Sequence, residues 1–77
     1  MRRDSSHSAF LKRFGEHLRE LRLARGLTQE ELAARADFSR SYYNEIETGK
    51  RNVSLLNLHK MAQCLDVTLA ELLDIGK

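Results

Sequence analysis

The chain has 77 residues, 42% hydrophobic and 31% charged, with a formal net charge of +2, one cysteine and neither proline nor tryptophan. That length holds one small domain whose core is marginal alone, so self-association is expected from size; the longest apolar run is three residues, far short of the ~20 that a membrane span needs. Cys64 has no intramolecular partner for a disulfide, which fits a reducing cytoplasm.

Residues 1–8 read as a flexible N-terminal arm in which Arg2 and Arg3 are available to a phosphate or a minor groove, and 9–77 as a single domain. Residues 1–25 carry seven Lys/Arg against three Asp/Glu, whereas residues 52–77 carry two against three, a bias that permits an anionic partner. Leu11, Phe14, Leu18 and Leu21 recur at spacings of three and four, which predicts a helix over 9–25 with Gly26 as its left-handed stop.

One device then repeats four times: an apolar residue, a Ser or Thr, and a second apolar residue four positions after the hydroxyl. The sets are Leu27/Thr28/Leu32, Phe38/Ser39/Tyr43, Val53/Ser54/Leu58 and Val67/Thr68/Leu72. Each hydroxyl is placed to cap a helix start, and the flanking apolar residues to staple the entering chain. Glu31 and Glu71 complete capping boxes with Thr28 and Thr68. Helices are therefore expected over 28–36, 39–48 (stopped by Gly49), 54–65 and 68–74, and no alternation of period two supports a strand. The fold class is all-α, with five helices.

Only Ala36, Asp37 and Phe38 separate the second helix from the third, a spacing that suggests a helix-turn-helix with Asp37 in the left-handed conformation. If Tyr43 and Ile46 face inward, then Arg40, Ser41, Asn44 and Glu45 lie outside, flanked by Tyr42. Arginine forks onto guanine, asparagine suits adenine, glutamate accepts from cytosine, and serine bonds several base edges, so this set can read a major groove. A plain solvated helix face would carry similar residues. Around it, Gln29 at the start of the second helix and Lys50, Arg51 and Asn52 in the following loop are placed to hold backbone phosphate. In the fourth helix Leu55, Leu58, Ala62 and Leu65, with Met61 beside them, read as a core face.

The segments GLTQEELA, FSRSYYNEIETGKRN and SLLNLHKMAQCLDV, in that order within residues 21–73, resemble the phage-repressor (Xre/Cro) helix-turn-helix family, of which the lambda repressor fold is the type. The RNVSLLNLHKMA segment and the short chain look most like the controller proteins of restriction–modification systems. The resemblance implies a transcriptional regulator that binds a near-palindromic DNA operator as a homodimer, with RNA polymerase as a candidate further partner. It assigns base contacts to Arg40, Ser41 and Glu45, with Asn44 beside them. Backbone contacts fall to Gln29, Tyr42, Arg51 and Asn52, and a structural bond to Glu47. It also implies a dimer interface at the C-terminal end, around Leu69, Leu73 and Ile75 with Leu56. Asp37 stands where the family commonly has glycine, and Val53 where proline often follows Asn52. An antitoxin-like or small phage repressor, or a protein-interaction module of the same fold that binds no DNA, is the alternative.

Catalysis has little to recommend it. His7, His17 and His59 show no metal-ligand spacing with Cys64 or with carboxylates, and no glycine-rich phosphate loop is present. No cofactor and no enzymatic activity are expected. Cys64 reads as a small half-buried hydrophobe, with a redox role only if it were an exposed thiolate.

Overall fold

Each of the four hydroxyls caps a helix in the computed structural model, which describes residues 5–76. Thr28, Ser39, Ser54 and Thr68 accept from the backbone N–H groups of Glu31, Tyr42, Asn57 and Glu71 at 3.0–3.1 Å. They open α2 (Gln29–Ala36), α3 (Arg40–Glu47), α4 (Leu55–Leu65) and α5 (Leu69–Leu72) behind a long α1 (Ser5–Ala24). In both capping boxes the acid reaches back, Glu31 to the Thr28 amide at 2.8 Å and Glu71 to the Thr68 amide at 2.7 Å. Those bonds to the cap's amide and hydroxyl hold both carboxyls below the usual carboxylate range.

The first four helices also stop alike. Gly26, Asp37, Gly49 and Asp66 all have positive φ, between 56° and 79°. At each stop the next residue's N–H returns to a carbonyl five positions back: Leu27 to Arg22, Phe38 to Ala33, Lys50 to Glu45, and Val67 to Ala62, at 2.8–3.2 Å. This closure satisfies carbonyls that would otherwise be orphaned at the helix end. Asp tolerates the left-handed region better than most residues with a Cβ, so Asp37 turns the chain in place of glycine. Asp66 is the same device, unmarked in the sequence reading.

α1 packs against α3, α2 against α3 and α4, and α4 against α5. Their shared core is Leu18, Leu32, Tyr43, Ile46, Met61, Leu65 and Leu72, all fully buried. Gly15 permits the closest approach: a Cβ there would lie 2.8 Å from the Ile46 carbonyl oxygen and nearer still to that of Glu47. α1 thus crosses the end of α3 backbone to side-chainless backbone, and this contact fixes where α3 points.

Three expectations need correction. α1 begins at Ser5, so residues 5–8 are helical; no glycine or proline before Gly15 interrupts the run. Arg2 and Arg3 lie outside the described residues. α5 closes at Leu72, two residues short of 74. Leu55 is not core but 70% exposed: as the first helical residue after the Ser54 cap, its side chain leans back off the helix start, while Leu58, Met61, Ala62 and Leu65 form the packed stripe.

Candidate nucleic-acid interface

α3 divides its residues between two faces. Tyr43 and Ile46 are buried, Arg40, Ser41 and Asn44 are exposed, and Tyr42 and Glu45 lie between. The helix is short, so its orientation depends on what holds its last residue, Glu47, which is only 7% exposed beside Arg22 at 6%.

Arg22 donates to both Glu47 oxygens, Nε to Oε2 at 2.6 Å and Nη2 to Oε1 at 3.1 Å. Its Nη1 donates to the Leu27 carbonyl at 2.8 Å. The Tyr43 hydroxyl also donates to Glu47 Oε2, and Gln29 Nε2 donates to Oε1 at 2.9 Å. Burial alone would push the Glu47 carboxyl up, but the bonds from Arg22, Tyr43 and Gln29 outweigh it and hold the group below the usual range. Burial, reinforced by the Glu47 charge, raises the Tyr43 phenol in turn. Isolated charges so deep would be costly; here every buried side-chain polar atom among the described residues has a partner. The bond expected of Glu47 is therefore structural, and it ties α1, α2 and α3 together.

The network reaches the surface. Asn44 Nδ2 donates to Gln29 Oε1 at 3.3 Å, joining a base-reading candidate to a backbone-holding one. Gln29 and Arg40 line one groove of about 560 Å³ at the start of α2. The cap takes only the amide of Glu31, which leaves those of Gln29 and Glu30 without intrahelical acceptors. Acidic Glu30 borders the same groove, so an anion there meets mixed charge.

A second cluster orders the loop after α3. Arg51 Nε lies 2.7 Å from Glu45 Oε1, and its guanidinium sits 5.5 Å from the centroid of the Tyr42 ring. That ring meets Phe38 edge to face at 5.2 Å, and its hydroxyl accepts from Asn57 Nδ2 at 2.9 Å, leaving its own hydrogen to donate. Lys50 and Asn52 are exposed. Gly49, with positive φ, presses on Lys12 of α1 so closely that a Cβ would lie 2.7 Å from the Lys12 side chain, which anchors the loop's start.

The sequence reading missed Arg22 and Asn57. A signal existed for the first: Arg22 follows Leu18 by four and Glu47 follows Tyr43 by four, so each charge rides an apolar stripe. Nothing comparable marked Asn57.

Of the residues expected at a dimer interface, Leu56 is 62% exposed and Leu73 42%, whereas Leu69 and Ile75 are half-buried against the core. Leu73 lines a groove of about 210 Å³ with Phe10, Leu11, Val53 and Leu58. Cys64 is half-buried and its thiol is pushed up by burial, which disfavours a reactive thiolate. His17 has Nε2 2.9 Å from the Glu71 carbonyl and links α1 to α5. Among the described residues no His, Cys, Asp and Glu side chains converge to hold a metal ion, and no helix is long and apolar enough to cross a membrane.

A family model described as helix-turn-helix matches residues 18–72. The chain is 52% identical over 67 residues to the control protein C.MunI of a Mycoplasma species, spanning 84% of this chain and 90% of that relative. It is 44% identical over 62 residues to the control protein C.BamHI of Bacillus amyloliquefaciens, spanning 79% and 76% of the two chains. Among solved structures, the restriction–modification controller protein C.AhdI of Aeromonas hydrophila superposes with a TM-score of 0.81 and 52% identity, covering 83% of this chain and 97% of that one.

Proposed function

The chain belongs to the helix-turn-helix family, and from that premise we propose that it is a sequence-specific DNA-binding transcriptional regulator, the controller of a restriction–modification system. The observation that carries this reading is the exposed row Arg40, Ser41 and Asn44 on a helix whose inner face is locked by Tyr43, Ile46 and Glu47. A helix held rigid on its inner face can enter a major groove and present an outer row of groups that bond base edges.

Roles divide by reach. Arg40, Ser41, Asn44 and Glu45 read base edges. Gln29, Tyr42, Lys50, Arg51 and Asn52 hold the backbone on either side of the reading helix, from the groove at α2 and from the loop after α3. Such contacts fix register without carrying sequence information, so they contribute affinity to any duplex.

The operator is met by two copies. Leu56 and Leu73 leave apolar surface exposed, whereas Leu69 and Ile75 pack partly against the core. An isologous pairing across that surface gives a homodimer with two reading helices about one DNA turn, ~34 Å, apart, and so a near-palindromic operator. Occupying a promoter-proximal operator either excludes RNA polymerase or presents a surface to it, according to where the operator lies. Regulation at the operator is a cytoplasmic role.

The reading is tested by fluorescence anisotropy of a labelled duplex from upstream of the protein's own gene, beside a scrambled duplex, at two salt concentrations. A gap of roughly 10³ or more between the two is expected of a specific regulator. Equal, salt-sensitive binding to both moves the target elsewhere. No binding at low salt favours a protein-interaction module of the same fold.

A further inference from the structure

Glu47 is buried beneath the polar face of α3, yet it stands at the root of a hydrogen-bond chain that ends on that face. An ionised carboxylate only accepts, and Arg22 and the Tyr43 hydroxyl keep this one supplied with donors. Gln29 must therefore turn its Nε2 inward, where it lies 2.9 Å from Glu47 Oε1. Its Oε1 is then directed outward, and only a donor can meet it. Asn44 complies by presenting Nδ2, at 3.3 Å. The polarity of each amide is dictated by the group before it, starting from a buried charge.

The consequence lies in what Asn44 has left. With one N–H spent on Gln29, it retains its second N–H and its Oδ1. That donor–acceptor pair matches the N7 and N6 amino group of adenine in the major groove. Were the amide reversed, two N–H groups would face outward, a pattern suited to the N7 and O6 acceptors of guanine. We propose that Glu47 and Gln29 are positioning residues that make Asn44 select adenine over guanine, so that a buried acid helps to determine the operator sequence.

This inference rests on the DNA-binding reading, and the test separates the two. Wild type, Asn44→Ala, Gln29→Met and Gln29→Glu are each used to select sites from a randomised duplex library, with thermal unfolding of every variant as a check on folding. The wild-type site should carry adenine at the position that Asn44→Ala makes indifferent. There the adenine-to-guanine ratio should be roughly tenfold or more, as a bidentate contact gives, and should fall to within about twofold in Gln29→Met, where no amide orients Asn44. Gln29→Glu has no N–H for Glu47 and would set a second carboxylate against it, so it should lose the adenine preference as Gln29→Met does, while binding every duplex more weakly.

Retention of the adenine preference in either Gln29 variant, or no change at any position in Asn44→Ala, would overturn the proposal while leaving DNA recognition standing. A library from which the wild type enriches no sequence would overturn the DNA-binding reading and this inference with it.

Discussion

Arg51 folds back onto Glu45, its Nε 2.7 Å from Oε1, so in the free protein the residue proposed to hold the backbone neutralises one proposed to read bases. The pair is partly exposed and contributes little to stability. Its importance is electrostatic: without Arg51, the Glu45 carboxylate faces the phosphates unpaired. Arg51→Ala should therefore cost more operator affinity in the wild type than in a Glu45→Ala background, by about 0.2–1 kcal/mol, as for other exposed ion pairs. Equal costs in a double-mutant cycle of binding would show that the two side chains act independently.

Arg40 and Lys50 differ in kind. Arg40→Ala should lose roughly 1–3 kcal/mol on the operator and relax the preference at one base position. Lys50→Ala should weaken operator and scrambled duplexes alike and reduce the salt slope by about 1. Anisotropy titrations over a salt series distinguish these outcomes, and similar losses on both duplexes for both variants would contradict the division of roles.

Removing one partner of the Arg22–Glu47 pair leaves the other buried and uncompensated. Glu47→Ala should cost about 3–5 kcal/mol in chemical denaturation, a large share of the stability of so small a domain. An apolar pair, Arg22→Met with Glu47→Leu, should recover only part of that loss, because it leaves the Tyr43 hydroxyl, the Leu27 carbonyl and Gln29 without their partners. The pH dependence has a definite sign. Because the native Glu47 carboxyl lies below its ordinary value of 4.5, its contribution is complete above about pH 4.5 and is lost as pH falls through the depressed native value. The stability advantage of wild type over Glu47→Gln should accordingly be constant near neutrality and shrink in acid. An advantage that grew on acidification would contradict the ion-pair account.

Leu56→Glu and Leu73→Glu place a charge on the exposed apolar end without disturbing the core. Each should shift the protein toward monomer in sedimentation velocity, with helical circular dichroism unchanged, and lower operator affinity through loss of the second half-site. Leu69→Glu is the poorer probe, because Leu69 packs partly against the core and its loss would mix folding with assembly. Unchanged sedimentation for both Leu56→Glu and Leu73→Glu would place the interface elsewhere.

What could be read from the sequence was local. The four capping hydroxyls, the two boxes and the left-handed Asp37 follow from neighbours within four residues, and the structure has all of them. Leu55 misled because spacing gives a residue's face but not whether core lies opposite its end of the helix. Arg22 and Glu47 are 25 residues apart, and the stripe positions that bury them also fit two snorkelling side chains. Asn57 reaches Tyr42 across 15 residues, a contact that depends on how α4 docks. Pairings of this kind appear only once the helices are placed, and they are what orient the candidate reading face.

We assign DNA contact to α3, with its flanking groups at Gln29 and in the loop at residues 50–52. A titration of ¹⁵N-labelled protein with the duplex from upstream of its own gene, followed by amide chemical shifts, tests it directly. Shifts should concentrate at residues 29–30 and 40–52, including the side-chain amides of Gln29 and Asn44. Shifts confined to the surface around Leu56 and Leu73, with those amides unmoved, would contradict the assignment.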